Sequence, residues 1–342
     1  MSETKANIVI QSLRGASQVF FMENALSGVL FFIAMAYASY ESGVWATTVG
    51  AAVGVVVATL SAWMMGCEEE ATSSGLYGFN GLLVGAALPT FIVASPQLWV
   101  LIVVGAAAST VFTAAFSATL TSRWAIPGST GPFVLIGWLL VASSHSFGGL
   151  QVIGEGPKLA SDYVQGLSAT PAPAELVEVF FLNVGQVCLL GNWISGVIVL
   201  IGIFIASVPA GIAAAAGSLT AMIVSVAMGA DPSAVIKGLY GFSPVLTAMA
   251  VGVIFLTPAP KVVLYAALAT VMTVFVQGAL DVMVAPAGIP SLTAPYVLTM
   301  YLFIAPKKYM APHPHRTVAD HMVDPHSAVP VSPVTPWHAA RR

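Results

Sequence analysis

The sequence predicts an all-α polytopic membrane protein. It divides into two inverted repeats, each of about five transmembrane helices plus one re-entrant half-helix. Three observations predict this. Charged residues are 7% and hydrophobic residues 58% of the 342-residue chain, against roughly 25% charged in a soluble domain. No Asp, Glu, Lys or Arg occurs in residues 71–122 or 179–230, and a soluble core does not stay that apolar over such runs. One motif also occurs twice, 163 residues apart: G-L-Y-G-F-N-G-L-L-V-G from Gly75 and G-L-Y-G-F-S-P-V-L-T-A from Gly238. A repeat at half the chain length reads as an internal duplication.

Taken in order, residues 1–16 read as an amphipathic lead-in and residues 17–147 as the first repeat. Residues 17–23 are apolar but too short to span, which takes about 20 residues, and are expected to form the re-entrant half-helix. Spans are predicted near 25–40, 44–66, 77–95, 97–119 and 132–147. Pro89 and the Pro127–Pro132 break suggest discontinuous helices, the sequence signal of a transport site when it recurs in both halves. Residues 148–175 form a Gly/Pro/Ala-rich connector. The second repeat, 176–306, follows the same plan, with a half-helix near 180–190 and spans near 192–208, 210–229, 239–256, 260–280 and 292–306. Residues 307–342 read as a disordered tail, a solvated segment rather than a metal site despite five histidines.

Two further matches support the duplication. Ser17–Gly28 resembles Gly185–Gly196 at an offset of 168, and Ile126–Phe133 resembles Ile289–Tyr296 at 163. An odd number of spans per half inverts one half relative to the other. With the N-terminus inside, Lys5, Arg14, Arg123, Lys261, Lys307, Lys308, Arg316, Arg341 and Arg342 fall inside, and only Lys158 and Lys237 outside. That distribution obeys the positive-inside bias. It implies an integral, multi-pass protein of the plasma (inner) membrane with both termini cytoplasmic. No cleavable signal peptide is visible. The net charge of −3 and lack of a basic tract exclude a nucleic-acid partner. Cys67 and Cys188 show neither disulfide context nor metal-ligand spacing, and no cofactor is expected.

The chemistry lies in neutral groups. Ion-coupled transporters place Asp, Glu or His along their path, whereas here Glu23, His145 and Asp281 sit at predicted span ends. The repeated polar residues are Gln18 and Gln186, Asn24 and Asn192, and Thr130 and Thr293. Such groups suit a neutral polar solute. The glutamines either line a path or satisfy backbone at a half-helix end. The asparagines are expected to be helix caps. The threonines either bond their own backbone or face a cavity where helix is broken. Gly81 and Gly85 are most simply close helix packing. Phe79 and Phe242 match between halves, with Leu83 and Leu246 one turn on. They are either core or the two walls of a flat apolar slot.

The doubled G-L-Y-G-F motif, the Q-V-F-F…N-A-L-S-G segment and the two P-x-x-T-x-P segments together resemble the urea transporter family over about residues 12–306. The resemblance implies a passive channel with urea and close analogues as solutes, set in the lipid bilayer as a homotrimer with one pore per subunit. It also implies a slot of stacked aromatics flanked by ladders of oxygen acceptors. Carried over by motif, Gln18 and Gln186 orient the solute, and Phe21 and Val187 line the mouths. Phe79 with Leu83, and Phe242 with Leu246, form the slot walls, and Thr130 and Thr293 mark the constricted centre. Asn80–Gly81 become Ser243–Pro244, and Phe20–Phe21 become Cys188–Leu189, departures that limit the pore's symmetry.

Other classes remain to be weighed. An ammonia channel calls for paired intramembrane histidines, and His145 is alone. An aquaporin calls for two Asn-Pro-Ala boxes, and none occurs. An ion-coupled secondary transporter shares inverted repeats and is separated by a gradient-driven accumulation assay. An intramembrane enzyme calls for a nucleophile–base pair, and none recurs.

Overall fold

A computed structural model describes residues 7–154, 156–162 and 171–308. The five histidines of the tail, Lys5 and the middle of the connector lie outside them. The first half comprises α1 (Ile8–Gln18), α2 (Ala25–Ser42), α3 (Ala46–Met64), α4 (Glu69–Ser73), α5 (Gly78–Phe91), α6 (Pro96–Phe116), α7 (Ser122–Trp124) and α8 (Gly131–Ser144). The second comprises α9 (Pro173–Gly185), α10 (Trp193–Ala206), α11 (Val208–Ala227), α12 (Pro232–Ile236), α13 (Phe242–Met249), α14 (Pro260–Val284) and α15 (Ala294–Ile304). A π turn, Ser117–Thr121, joins α6 to α7, and another, Ala250–Ile254, continues α13. The order of long, short and broken elements is the same in both halves.

Among the described residues, five helical segments are long and apolar enough to cross a membrane: Ala25–Ser42, Ala46–Met64, Pro96–Trp124, Val208–Ala227 and Pro260–Ala287. A sixth span is available if Pro173–Cys188 and Trp193–Ala206, which meet at a 72° bend, act as one. The protein is thus an all-helical, multi-pass membrane protein. Four of the expected spans are apolar helices of only 10–17 residues: α5, α8, α13 with its π extension, and α15. Two of these are wrapped by the others. Every residue from Gly78 to Pro89 and from Phe242 to Ile254 is buried. A helix apolar on all sides belongs inside.

The structure also moves the first half-helix. It begins at Ile8 and ends at Gln18, so the expected lead-in and half-helix are one element, and residues 19–23 are its closing turn. The pattern misled because the buried face of α1 is small and polar: Gln11, Ser12, Gly15, Ala16 and Ser17. Small residues let α1 meet other backbones. An added Cβ on Gly28 of α2 would overlap the Leu13 carbonyl, and one on Gly196 of α10 would overlap that of Phe181. Both pairs lie at the same 168-residue offset. Asn24 and Asn192 are the expected caps, each accepting from two N–H groups of the next helix.

The halves meet through matched bonds. On α2, Ser27 Oγ donates to the Gly202 carbonyl at 2.8 Å. On α10, the matching Ser195 Oγ donates to the Ala34 carbonyl at 2.8 Å. Gly202 is itself the counterpart of Ala34, so the two helices run antiparallel and exchange equivalent contacts. The connector's start is pinned to half one by Val93 N–H to Gln151 O and Ile153 N–H to Phe91 O, and to half two by Lys158 N–H to Ala285 O.

Candidate functional site

The site is built where helices break. Among the described residues, five non-glycine residues hold left-handed backbone: Phe21, Ala125, Ser129, Leu189 and Leu292. Each such residue costs roughly 1–2 kcal/mol, so none is incidental. They fall at matched positions. Phe21 pairs with Leu189 after the first helix of each half, and Ser129 with Leu292 immediately before Thr130 and Thr293. Ala125 pairs with Gly288, which is also left-handed. The strain turns the chain sharply at four points around the buried helices α5 and α13.

At two of these turns the threonines converge. Thr293 Oγ1 donates to Thr130 Oγ1 at 2.8 Å across the two halves. Both residues are buried. The hydroxyls bond each other rather than their own backbone, and the Thr130 hydroxyl hydrogen has no acceptor among the described residues. The broken segments are held from the opposite half. Ser129 Oγ shares a hydrogen bond with Tyr296 Oη at 2.7 Å, Tyr301 Oη donates to Gly128 O at 2.8 Å, and Trp138 Nε1 donates to Pro290 O at 2.8 Å.

Gln18 and Gln186 close the ends of α1 and α9. Gln18 Nε2 donates to Ser74 O at 3.0 Å, and Gln186 Nε2 to Lys237 O at 2.8 Å. Ser74 and Lys237 are again counterparts. Each precedes the first glycine of its motif, Gly75 (φ +87°) or Gly238 (φ +73°), whose backbone turn excludes most side chains. The backbone-satisfying reading therefore holds for both amide nitrogens. Both side chains are half-buried, and neither amide oxygen has a donor among the described residues. Beside Gln18, the Arg14 guanidinium lies 3.4 Å from Glu23 and donates to Ser73 O at 3.1 Å. Burial pushes the Glu23 carboxyl up from its usual range; Arg14 opposes the rise and Glu70 adds to it.

Phe21 is half-buried and packs on half two, its ring 5.6 Å from that of Phe255 and 6.1 Å from that of Tyr296. Its place in the second half is taken by Leu189, which is also half-buried, whereas Val187 is in the core with its own counterpart Val19. Phe79, Leu83, Phe242 and Leu246 are all buried on the central helices, one turn apart in each pair. Around them, α5, α8, α13 and α15 contain no Asp, Glu, Lys, Arg or His. His145 is exposed at the end of α8, its Nε2 3.5 Å from Gly288 O. Cys67 and Cys188 are both free. Among the described residues no group of three His, Cys, Asp or Glu could hold a metal.

Some of this was invisible in the sequence. Leu189 shares Phe21's backbone conformation but not its chemistry. Ser129's left-handed φ and its cross-half bond with Tyr296 are announced by no local pattern. Asn80 was legible as part of the motif, but its loss in the second copy obscured its role.

The description "Urea transporter" belongs to the family that matches residues 9–308. Urea transporter 1 of Ovis aries is 28% identical over 303 residues, covering 85% of this chain and 75% of its own. Urea transporter 1 of Rattus norvegicus is 29% identical over 302 residues, and that of Mus musculus 29% over 298, each with the same coverage. The family match takes in both broken segments, both motif copies and the helices between them, and the chain belongs to the urea transporter family.

Proposed function

We propose that this protein is a passive urea channel whose path crosses between Phe79–Leu83 and Phe242–Leu246 and is narrowest at Thr130 and Thr293. The observation that carries the reading is the meeting of those two hydroxyls, contributed by matched breaks, among central helices free of charged side chains. Urea is planar, neutral and rich in N–H donors. Removing an amide-like solute from water without replacement costs roughly 2–7 kcal/mol. The free oxygens of Gln18 and Gln186 replace water at the two ends, and the threonine hydroxyls replace it in the middle. Phe21 and Leu189 flank the ends on their strained turns. A bare ion finds no comparable compensation there.

In this reading the halves are inverted about a two-fold axis in the membrane plane, which is supported by the reciprocal Ser27–Gly202 and Ser195–Ala34 bonds. The protein resides in the plasma (inner) membrane with both termini cytoplasmic. It assembles as a homotrimer with a separate pore in each subunit. Apolar side chains such as Leu264, Leu268 and Leu302 are exposed on the outer helices and face lipid or a neighbouring subunit.

Passive conduction has a direct consequence. In proteoliposomes, imposed proton or sodium gradients are expected to leave the final internal urea concentration equal to the external one. Uphill accumulation of urea would sink the channel reading and favour ion coupling.

The slot makes a second prediction. Replacing Phe79 and Phe242 together with Ala is expected to raise the flux of bulkier amides relative to urea, or to collapse the path. Each truncation of a buried Phe costs about 3–5 kcal/mol, so flux is read per folded protein. Unchanged rates and selectivity in a folded Phe79→Ala/Phe242→Ala variant would mean the rings are only core.

A further inference from the structure

The two sides of the Thr130–Thr293 pair are held by different chemistry. In half one, buried Asn80 reaches both sides of Thr130. Its Nδ2 donates to Ser129 O at 3.3 Å, and its Oδ1 accepts from Phe133 N–H at 3.2 Å. A second Nδ2 bond, to Thr113 Oγ1 at 3.1 Å, anchors the amide on α6. In half two the counterpart of Asn80 is Ser243, whose hydroxyl is buried and has no partner among the described residues. Ser243 therefore cannot do what Asn80 does.

Another amide stands in. Gln277, buried on α14, donates from Nε2 to Ser291 Oγ at 2.8 Å and to Asp281 Oδ1 at 2.9 Å. Ser291 lies two residues before Thr293, next to left-handed Leu292. At the matching positions in half one, Gln277 is replaced by Ala114 and Ser291 by Gly128. Each half thus carries one long amide and one small residue, with the roles exchanged between the central and the outer helix. A left-handed non-glycine residue persists only where its surroundings over-determine it, and these amides grip the strained segments from within their own half, beside the cross-half bonds from Tyr296, Tyr301 and Trp138.

We infer that Asn80 and Gln277 are positioning residues for conduction, each fixing one threonine hydroxyl at the constriction: Asn80 through the strained Ser129 before Thr130, and Gln277 through Ser291, the neighbour of the strained Leu292 before Thr293. The inference rests on the reading that Thr130 and Thr293 lie in the solute path. Because the grips differ, the two faces of the constriction respond to different substitutions.

The test is a pair of double-mutant comparisons, scored as stopped-flow urea flux per folded protein in proteoliposomes. Asn80→Ser copies the residue that half two already accommodates at position 243. Alone it is expected to lower urea flux about tenfold, within the range that ångström-scale misplacement produces. In a Thr130→Val background it is expected to lower flux less than about twofold further, because a residue that acts through Thr130 has nothing left to position. Gln277→Met, which keeps side-chain length, is expected to behave the same way with Thr293→Val, and it carries the test if Asn80→Ser does not fold. Equal fold-losses in both backgrounds, or wild-type flux in folded Asn80→Ser and Gln277→Met, would overturn the inference while leaving the threonines in the path. Wild-type flux in Thr130→Val and Thr293→Val themselves would overturn the path reading and the inference with it.

Discussion

Gly85→Leu is expected to leave no folded protein. Gly50 and Gly54 of α3 face Gly81 and Gly85 of α5, one helical turn apart on each helix. A Cβ added to Gly50 would overlap the Gly85 carbonyl, and one added to Gly85 would overlap that of Gly50. Gly54 and Gly81 oppose each other in the same way. Ordinary overpacking costs about 1–3 kcal/mol because side chains can yield. Here the obstacle is backbone, so the helices must separate. Helix α5 is buried along nearly its whole length and carries Phe79, Asn80 and Leu83, so separation takes the site's wall with it. Total stability is only about 5–15 kcal/mol, and losing the α3–α5 seam consumes it. Half two sets the scale for smaller changes, since it carries Ala248 where half one has Gly85. Gly148→Ala is the control, because a Cβ there meets nothing within 4 Å. Size-exclusion yield and melting temperature of the solubilised protein measure the effect. A monodisperse Gly85→Leu protein melting with the wild type would disprove the interlock.

The same seam shows what was legible in the sequence. Two glycines four residues apart in an apolar stretch already imply close packing, and the structure supplies the partner helix. The duplication was also legible, because G-L-Y-G-F needs its first glycine for a left-handed turn in both halves. The caps Asn24 and Asn192 follow from local chemistry alone. Helix α1 was harder. Its polar face suggested solvent, but Gln11, Ser12 and Ser17 are turned inward, where Trp63 Nε1 donates to Gln11 Oε1 at 2.7 Å and Ser17 Oγ donates to Met22 O. Hydropathy cannot tell a satisfied buried amide from an exposed one. The length of α5 and α13 was overestimated because apolarity extends past the helix ends, into the Ile92–Ala94 segment after α5 and into the buried π turn after α13.

The lining of the ends was blurred for another reason. Phe21 and Leu189 share a backbone state, not a side-chain type, and no propensity marks a leucine for left-handed φ. Gln277 was hidden by distance: it lies in the C-terminal third of a long span and acts on a segment 14 residues further on. Substitutions that move a function from one helix to another escape a motif comparison, since each copy then looks like a simple loss.

Thr130→Val/Thr293→Val is expected to lower urea flux by roughly five- to a hundred-fold while sparing the fold. Valine nearly matches threonine in shape and removes only the hydroxyl. The two hydroxyls are each other's partner at 2.8 Å. Replacing both members of a buried hydrogen bond by apolar groups of the same shape is nearly neutral for stability, whereas replacing one leaves the other unsatisfied at about 1–3 kcal/mol. The single variants are therefore expected to melt lower than the double, and that order tests the bond itself. Flux should follow the opposite order. The Thr130 hydroxyl hydrogen, which has no acceptor among the described residues, suits urea's carbonyl, and Thr293 has lone pairs for its N–H groups, so each single variant keeps one hydroxyl and the double keeps none. If urea loses one or two hydrogen bonds at its barrier, the penalty is again about 1–3 kcal/mol. At about 1.36 kcal/mol per tenfold in rate, that gives the range stated. Thr→Ser at both positions keeps the hydroxyls and should cost far less flux. Stopped-flow flux per folded protein, set beside melting temperature, separates the two roles. A double variant that conducts urea at the wild-type rate would leave the threonine pair as a clasp between the halves and nothing more.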